Sequence, residues 1–166
     1  VLRRPFEGTT TDGLLGPARP HAHLLPPLLA GLLGAPAPLL EVLGREPVTL
    51  LHGDPWPANI RRPGAGSRVW LDWEQASTGP AAADLATWLD QTPWSLRREI
   101  DAGEHLAGYL AARHRPVDPV AFGRAVDAAS VVWFLAFDVP RLPEAPPWLA
   151  EHMVSAREEA ARRALG

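Results

Sequence analysis

The 166-residue chain has no cysteine and no lysine, and only one tyrosine and one methionine. Without cysteine there can be no disulfide framework, thiolate metal site or cysteine nucleophile. The missing lysine is chemically weightier. All sixteen basic residues are arginine, which excludes Schiff-base catalysis, a Walker lysine and any lysine contact with a nucleotide. The formal net charge of -3 is not that of a duplex binder, which needs a clustered basic surface, so a nucleic-acid partner is not expected. No apolar run approaches the ~20 residues of a membrane span. Val1-Leu2-Arg3-Arg4-Pro5 leads into a Gly/Thr-rich stretch rather than a signal-peptide core. The expectation is a soluble, cytoplasmic protein with no membrane partner. No G-x-S-x-G elbow and no G-x-G-x-x-G loop occurs, so a serine hydrolase has little support.

What is present fits one domain with a sizeable core, given the length and an apolar fraction of 46%. Residues 1–20 are rich in Gly, Pro and Thr and read as an irregular lead-in. Residues 21–166 read as one mostly helical α+β unit. Leucines at helical spacing predict short helices over His21 to Gly34 and Ala37 to Arg45, with Pro26-Pro27 starting or breaking the first. "PVTLLH" (Pro47 to His52) reads as a short strand. "NIRR" and "RVWLDW" flank the turn cluster "PGAGS" as a hairpin over residues 59–73. Beyond Gly79-Pro80, helices are expected over Ala81 to Gln91, Leu96 to His114, Pro119 to about Val139 and Trp148 to Leu165. Asp118-Pro119 supplies an N-cap followed by proline at the first helical position.

The stretch "LLHGDPWPANI" (residues 50–60) places a carboxylate, Asp54, five residues before a carboxamide, Asn59, and Asp72 ends the hairpin strand "VWLD". A connecting loop needs turn formers, but not acids and amides at a fixed interval. Phosphoryl transfer from a nucleotide does need them: a carboxylate to take the proton of the attacking hydroxyl, and hard oxygen ligands to hold magnesium against the phosphates. A tight loop can turn Asp54 towards an acceptor while Asn59 enters the next strand facing the metal.

Three segments in order, "LLHGDPWPANI", "VWLDWEQASTGP" and "AADLATWL", resemble the aminoglycoside phosphotransferase family, whose members share the protein-kinase-like fold. The Asp-to-Asn interval equals that of the kinase catalytic loop. The resemblance implies the C-terminal helical lobe of that fold. It makes Asp54 the catalytic base, Asn59 and Asp72 the magnesium ligands, and His52 and Asp84 supports of the loop. It further implies ATP or another nucleoside triphosphate with Mg²⁺, and a small-molecule hydroxyl acceptor. Pro55-Trp56 stand where many members carry Leu-His, which stiffens the loop. The family's N-terminal nucleotide lobe, with its lysine, has no counterpart here. Because the chain begins at Val1, inside what resembles a post-hinge segment, it is expected to be a lobe whose partner lobe lies in the same or a separate chain. The alternative is a non-catalytic binding or scaffold module of kinase-like fold.

Other groups carry weaker signals. His21-x-His23 lacks a nearby third ligand for a metal. Of the seven tryptophans, Trp56 and Trp73 adjoin the motif residues and, with Glu74, are weak candidates for substrate binding; the rest are expected in the core. Asp90, Asp101, Glu104, Asp138 and Glu144 could line a pocket for a polycationic acceptor, and surface solvation explains them as well. "REEAARRAL" reads as the solvated face of a terminal helix.

Overall fold

The computed structural model describes residues 11–64, 66–96, 99–113 and 116–166. The chain is mostly helical, with two small two-stranded sheets. Its first described elements depart from expectation. Residues 11–20 are helical rather than irregular: α1 (Thr11–Leu15) runs into a 3-10 segment, Gly16–Leu24. Leu15 and Ala18 are fully buried in the helical core, so packing overrides the low helix propensity of this Gly- and Pro-rich stretch. The first half of the expected lead-in, residues 1–10, lies outside the described residues.

Helices α2 (Pro27–Gly34) and α3 (Ala37–Gly44) each carry proline in the first two positions, where the missing N–H breaks no bond. They seat Leu29, Leu32, Leu33 and Leu39 in the core. Strand β1 (Val48–Leu51) follows, then the hairpin of β2 (Ile60–Arg61) and β3 (Val69–Trp70), in which Ile60 faces Trp70. β1 does not join that hairpin. It pairs antiparallel with β4 (Ser77–Pro80), a strand the sequence patterning did not suggest, in the register Val48 to Pro80 and Leu51 to Ser77. The β1–β4 pair thus pins both ends of the segment carrying the acidic motifs.

The helical body comprises α4 (Ala82–Leu96), α5 (Ala102–Ala112), α6 (Pro119–Trp133) and α7 (Pro147–Leu165). α4 extends past the expected stop at Gln91, because Pro93 falls in its last turn, where few backbone bonds remain to be lost. α5 starts later than expected, at the cap Asp101, whose carboxylate accepts from the Glu104 amide at 3.0 Å. As expected, Asp118 caps α6, accepting from the Val120 and Ala121 amides at 2.9 and 3.4 Å. α6 then passes through a π-helical turn (Phe134–Asp138) and a 3-10 run (Val139–Glu144).

α6 is the central helix, packed against α7, α4 and α3. Half of its buried residues are small (Ala125, Ala128, Ala129, Ser130), which lets neighbouring helices approach closely, and Phe122 packs in the cluster that α4 and α5 cover. The continuous helical run Pro119–Glu144 is long and apolar enough to span a bilayer by length and composition, but 61% of that stretch is buried inside the molecule. It serves here as a core helix.

Candidate active site

The loop after β1 turns sharply at Gly53, whose φ of 85° favours glycine. Space demands glycine too, because a β-carbon there would land on the Gln75 backbone carbonyl. The HG pair of the motif is thus explained by a turn pressed against the segment that follows Asp72.

Asp84, in the first turn of α4, clamps this turn. Its Oδ2 accepts from the His52 amide at 2.7 Å and its Oδ1 from the Gly53 amide at 3.0 Å. Burial pushes the Asp84 carboxyl above its ordinary value of 3.8, and the two backbone donors oppose that shift. The carboxylate is therefore spent on holding the loop and has no spare oxygen facing a substrate.

His52 is buried and carries the second brace. Its Nε2–H donates to the Leu71 carbonyl at 2.8 Å, while Nδ1 accepts from the Asp54 amide at 3.3 Å. Those two bonds together specify the neutral Nε2–H tautomer. The ring thereby joins the Asp54 loop to the residue just before Asp72. It packs between Trp73 and Trp70, with ring centroids 4.6 and 5.3 Å away.

Asn59 closes the 3-10 turn Pro57–Asn59. Its carboxamide faces Asp54: Nδ2 donates to the Asp54 backbone carbonyl and to Oδ2, each at 3.0 Å. One Asp54 carboxylate oxygen is thus occupied and Oδ1 has no partner among these bonds. The Asn59 backbone carbonyl in turn accepts from the Leu71 amide at 2.8 Å, so Asn59 and Asp72 stand on adjacent strand ends. Asp72 is exposed and is the one non-glycine residue with positive φ among the described residues (φ 60°, ψ 62°). Left-handed backbone is uncommon outside glycine, although Asp and Asn tolerate it best. The kink swings the chain into the turn Trp73–Gln75, and the Asp72 carboxylate has no hydrogen bond among the described residues.

The structure therefore brings Asp54, Asn59, Asp72, His52 and Asp84 into one connected unit. Trp56 is half-buried beside Asp54, with its amide donating to the Asp54 carbonyl at 3.1 Å. Trp73 and Glu74 are exposed next to Asp72. The helix acids are dispersed. Asp90 is engaged by Arg157 at 2.7 Å and Ser130 at 3.0 Å, and burial raises its carboxyl all the same. Asp101 caps a helix, and Glu104 is exposed in the first turn that it caps. Asp138 and Glu144 line a shallow groove of about 280 Å³ that also holds Arg141. His21 and His23 border a separate groove of about 430 Å³. Among the described residues no cluster of three or more His, Cys, Asp or Glu could hold a metal; the Asp72–Asn59 pair counts only two donors, one of them an amide.

Sequence reasoning missed Gln75, whose carbonyl is what makes Gly53 obligatory, and Trp88, whose edge meets Trp70 at 6.2 Å. The signal for Trp88 was available, since it lies one helical turn beyond Asp84 and so on the same face.

A turn that presents a carboxylate, a carboxamide bonded to it and a further carboxylate at the next strand end can serve oxygen-ligated group transfer. The chain belongs to the phosphotransferase enzyme family, whose family model matches residues 14–128 and so takes in the loop, the hairpin, α4, α5 and the first part of α6. No curated protein and no solved structure matches it.

Proposed function

We propose that the chain is the catalytic-loop lobe of a protein-kinase-like small-molecule kinase, moving the γ-phosphoryl group of ATP or another nucleoside triphosphate to an acceptor hydroxyl. The observation that carries this reading is the Asn59 carboxamide bonded to Asp54 through Nδ2, which leaves its own Oδ1, with the Asp72 carboxylate of the adjoining segment, to serve as hard oxygen donors. Such a pair suits Mg²⁺, which is commonly held by one or two protein oxygens, with phosphates and water completing its shell. Bound there, the ion would draw off negative charge from the phosphates. Asp54 has a different task. With Oδ2 held by Asn59, its free Oδ1 can accept the proton of the attacking hydroxyl. His52 and Asp84 fix the loop on which that oxygen sits.

The nucleotide would be covered by a second lobe, from the same protein or another chain, seated on the face that carries β1 and β3. Val48, Leu50, Val69, Trp70, Leu71 and Trp73 are all exposed there, Val48 to 74%. These 166 residues contain no lysine, so any phosphate-contacting lysine would have to come from that lobe. The missing lysine also sustains the alternative, a non-catalytic module that keeps the cleft for binding alone.

Replacing Asp54 by Asn in the protein assembled with its nucleotide lobe separates the two. Turnover is expected to fall by about 10²–10⁴-fold, with nucleotide affinity little changed. An unaltered rate removes Asp54 from the role of base.

A further inference from the structure

α5 has no fully buried residue; Leu106 and Leu110 pack half-buried against the core, and a stripe at four-residue steps, His105, Tyr109 and the C-cap Arg113, adds aromatic and polar contacts. Tyr109 stacks on Phe122 (5.3 Å, 2° between planes), and the Arg113 guanidinium lies over both rings and faces Glu46 at 3.8 Å. The third contact differs in kind. His105 Nδ1 accepts the indole N–H of Trp88 at 3.2 Å. A half-buried indole N–H could bond water; here it is directed at a ring nitrogen of another helix.

From that bond a continuous row of rings leads to the catalytic loop. Trp88 meets Trp70 edge-on (6.2 Å, 69°), Trp70 meets His52 at 5.3 Å, and His52 holds the Asp54 amide through Nδ1. We propose that His105 is a positioning residue for this loop. Its bare Nδ1 fixes the indole of Trp88, Trp88 and Trp70 fix the ring plane of His52, and His52 fixes the backbone of Asp54. His105 itself touches none of the reacting groups. Because none of its residues is fully buried, α5 is among the elements most easily displaced, and this row makes its position felt at the loop. The functional meaning rests on the kinase reading; the coupling itself does not.

The test is heteronuclear NMR of the 166-residue chain, comparing His105→Ala, His105→Asn and Trp88→Phe with the parent protein. In His105→Ala the Trp88 indole N–H is expected to exchange with solvent several-fold faster, and the His52 ring resonances to shift. Asn restores an acceptor near the place of Nδ1 and should return both signals towards the parent values, which a merely space-filling histidine would not require. Trp88→Phe should shift His52 in the same direction while leaving α7 unperturbed. If the Trp88 signal changes in His105→Ala and His52 stays where it was, the coupling ends at Trp88 and the proposal is wrong. A failure to bind nucleotide would remove the kinase reading without touching this result.

Discussion

Asp84 shows how one side chain can be charged with geometry rather than chemistry. Its two oxygens take two consecutive amides, those of His52 and Gly53, an arrangement that a carboxamide cannot reproduce, because its NH₂ would face one of the donors. Leaving a buried donor unpaired costs about 1–3 kcal/mol. In Asp84→Asn, one of these two amides is therefore expected to exchange with solvent about 5- to 100-fold faster, which hydrogen exchange reads residue by residue. The same group leaves a mark on the pH profile. Burial raises its carboxyl above 3.8, so the folded protein binds the proton at a higher pH than the unfolded chain does. Stability must then fall as pH rises from 3.8 towards the raised value, and level off above it. Asp84→Asn should flatten that part of a urea-midpoint series. An unchanged slope would assign it to other buried acids such as Asp90 and Asp138, whose carboxyls burial also raises.

Among the elements, α6 organises the body and its start is set by one residue. Asp118 accepts from two amides of the first turn, and Asp118→Ala should cost about 1 kcal/mol, within the range of about 0.5–2 kcal/mol for lost caps, measured by chemical denaturation. A negligible change would mean that packing alone starts the helix. Asp118-Pro119 could be read in the sequence because a cap is a local device. So could the grouping of Asp54, Asn59 and Asp72, which lie within some twenty residues and are joined through the loop and hairpin. β4 could not be read, since "STGP" is poor in strand formers and exists as a strand through its pairing with β1. The segment 11–24 hides for a related reason: its helical turns are stabilised by burying Leu15 and Ala18, a long-range fact that local composition contradicts. The Trp88–His105 bond spans two helices and has no sequence signature at all.

At the scale of the whole molecule, large apolar side chains reach the surface in both the strand and the helical parts. The strand segments expose Leu50 to 57% and Trp73 to 46%, together with Val48, Val69, Trp70 and Leu71, and the helical segments expose Val120 and Trp148. Exposed apolar side chains in this number favour association, so the isolated chain is expected to self-associate with rising concentration. Leu50→Ser combined with Val48→Ser should shift sedimentation towards the monomer; a parent chain that is monomeric at high concentration would contradict this. Nucleotide binding tests the oxygen-donor site without knowledge of the acceptor. Calorimetric titration of the chain with a non-hydrolysable ATP analogue, with and without Mg²⁺, and with Asp72→Asn as control, reads it. Saturable binding that requires Mg²⁺ and is lost in Asp72→Asn is expected. Binding that ignores both the ion and the substitution, or no binding even when the covering lobe is supplied, would contradict it.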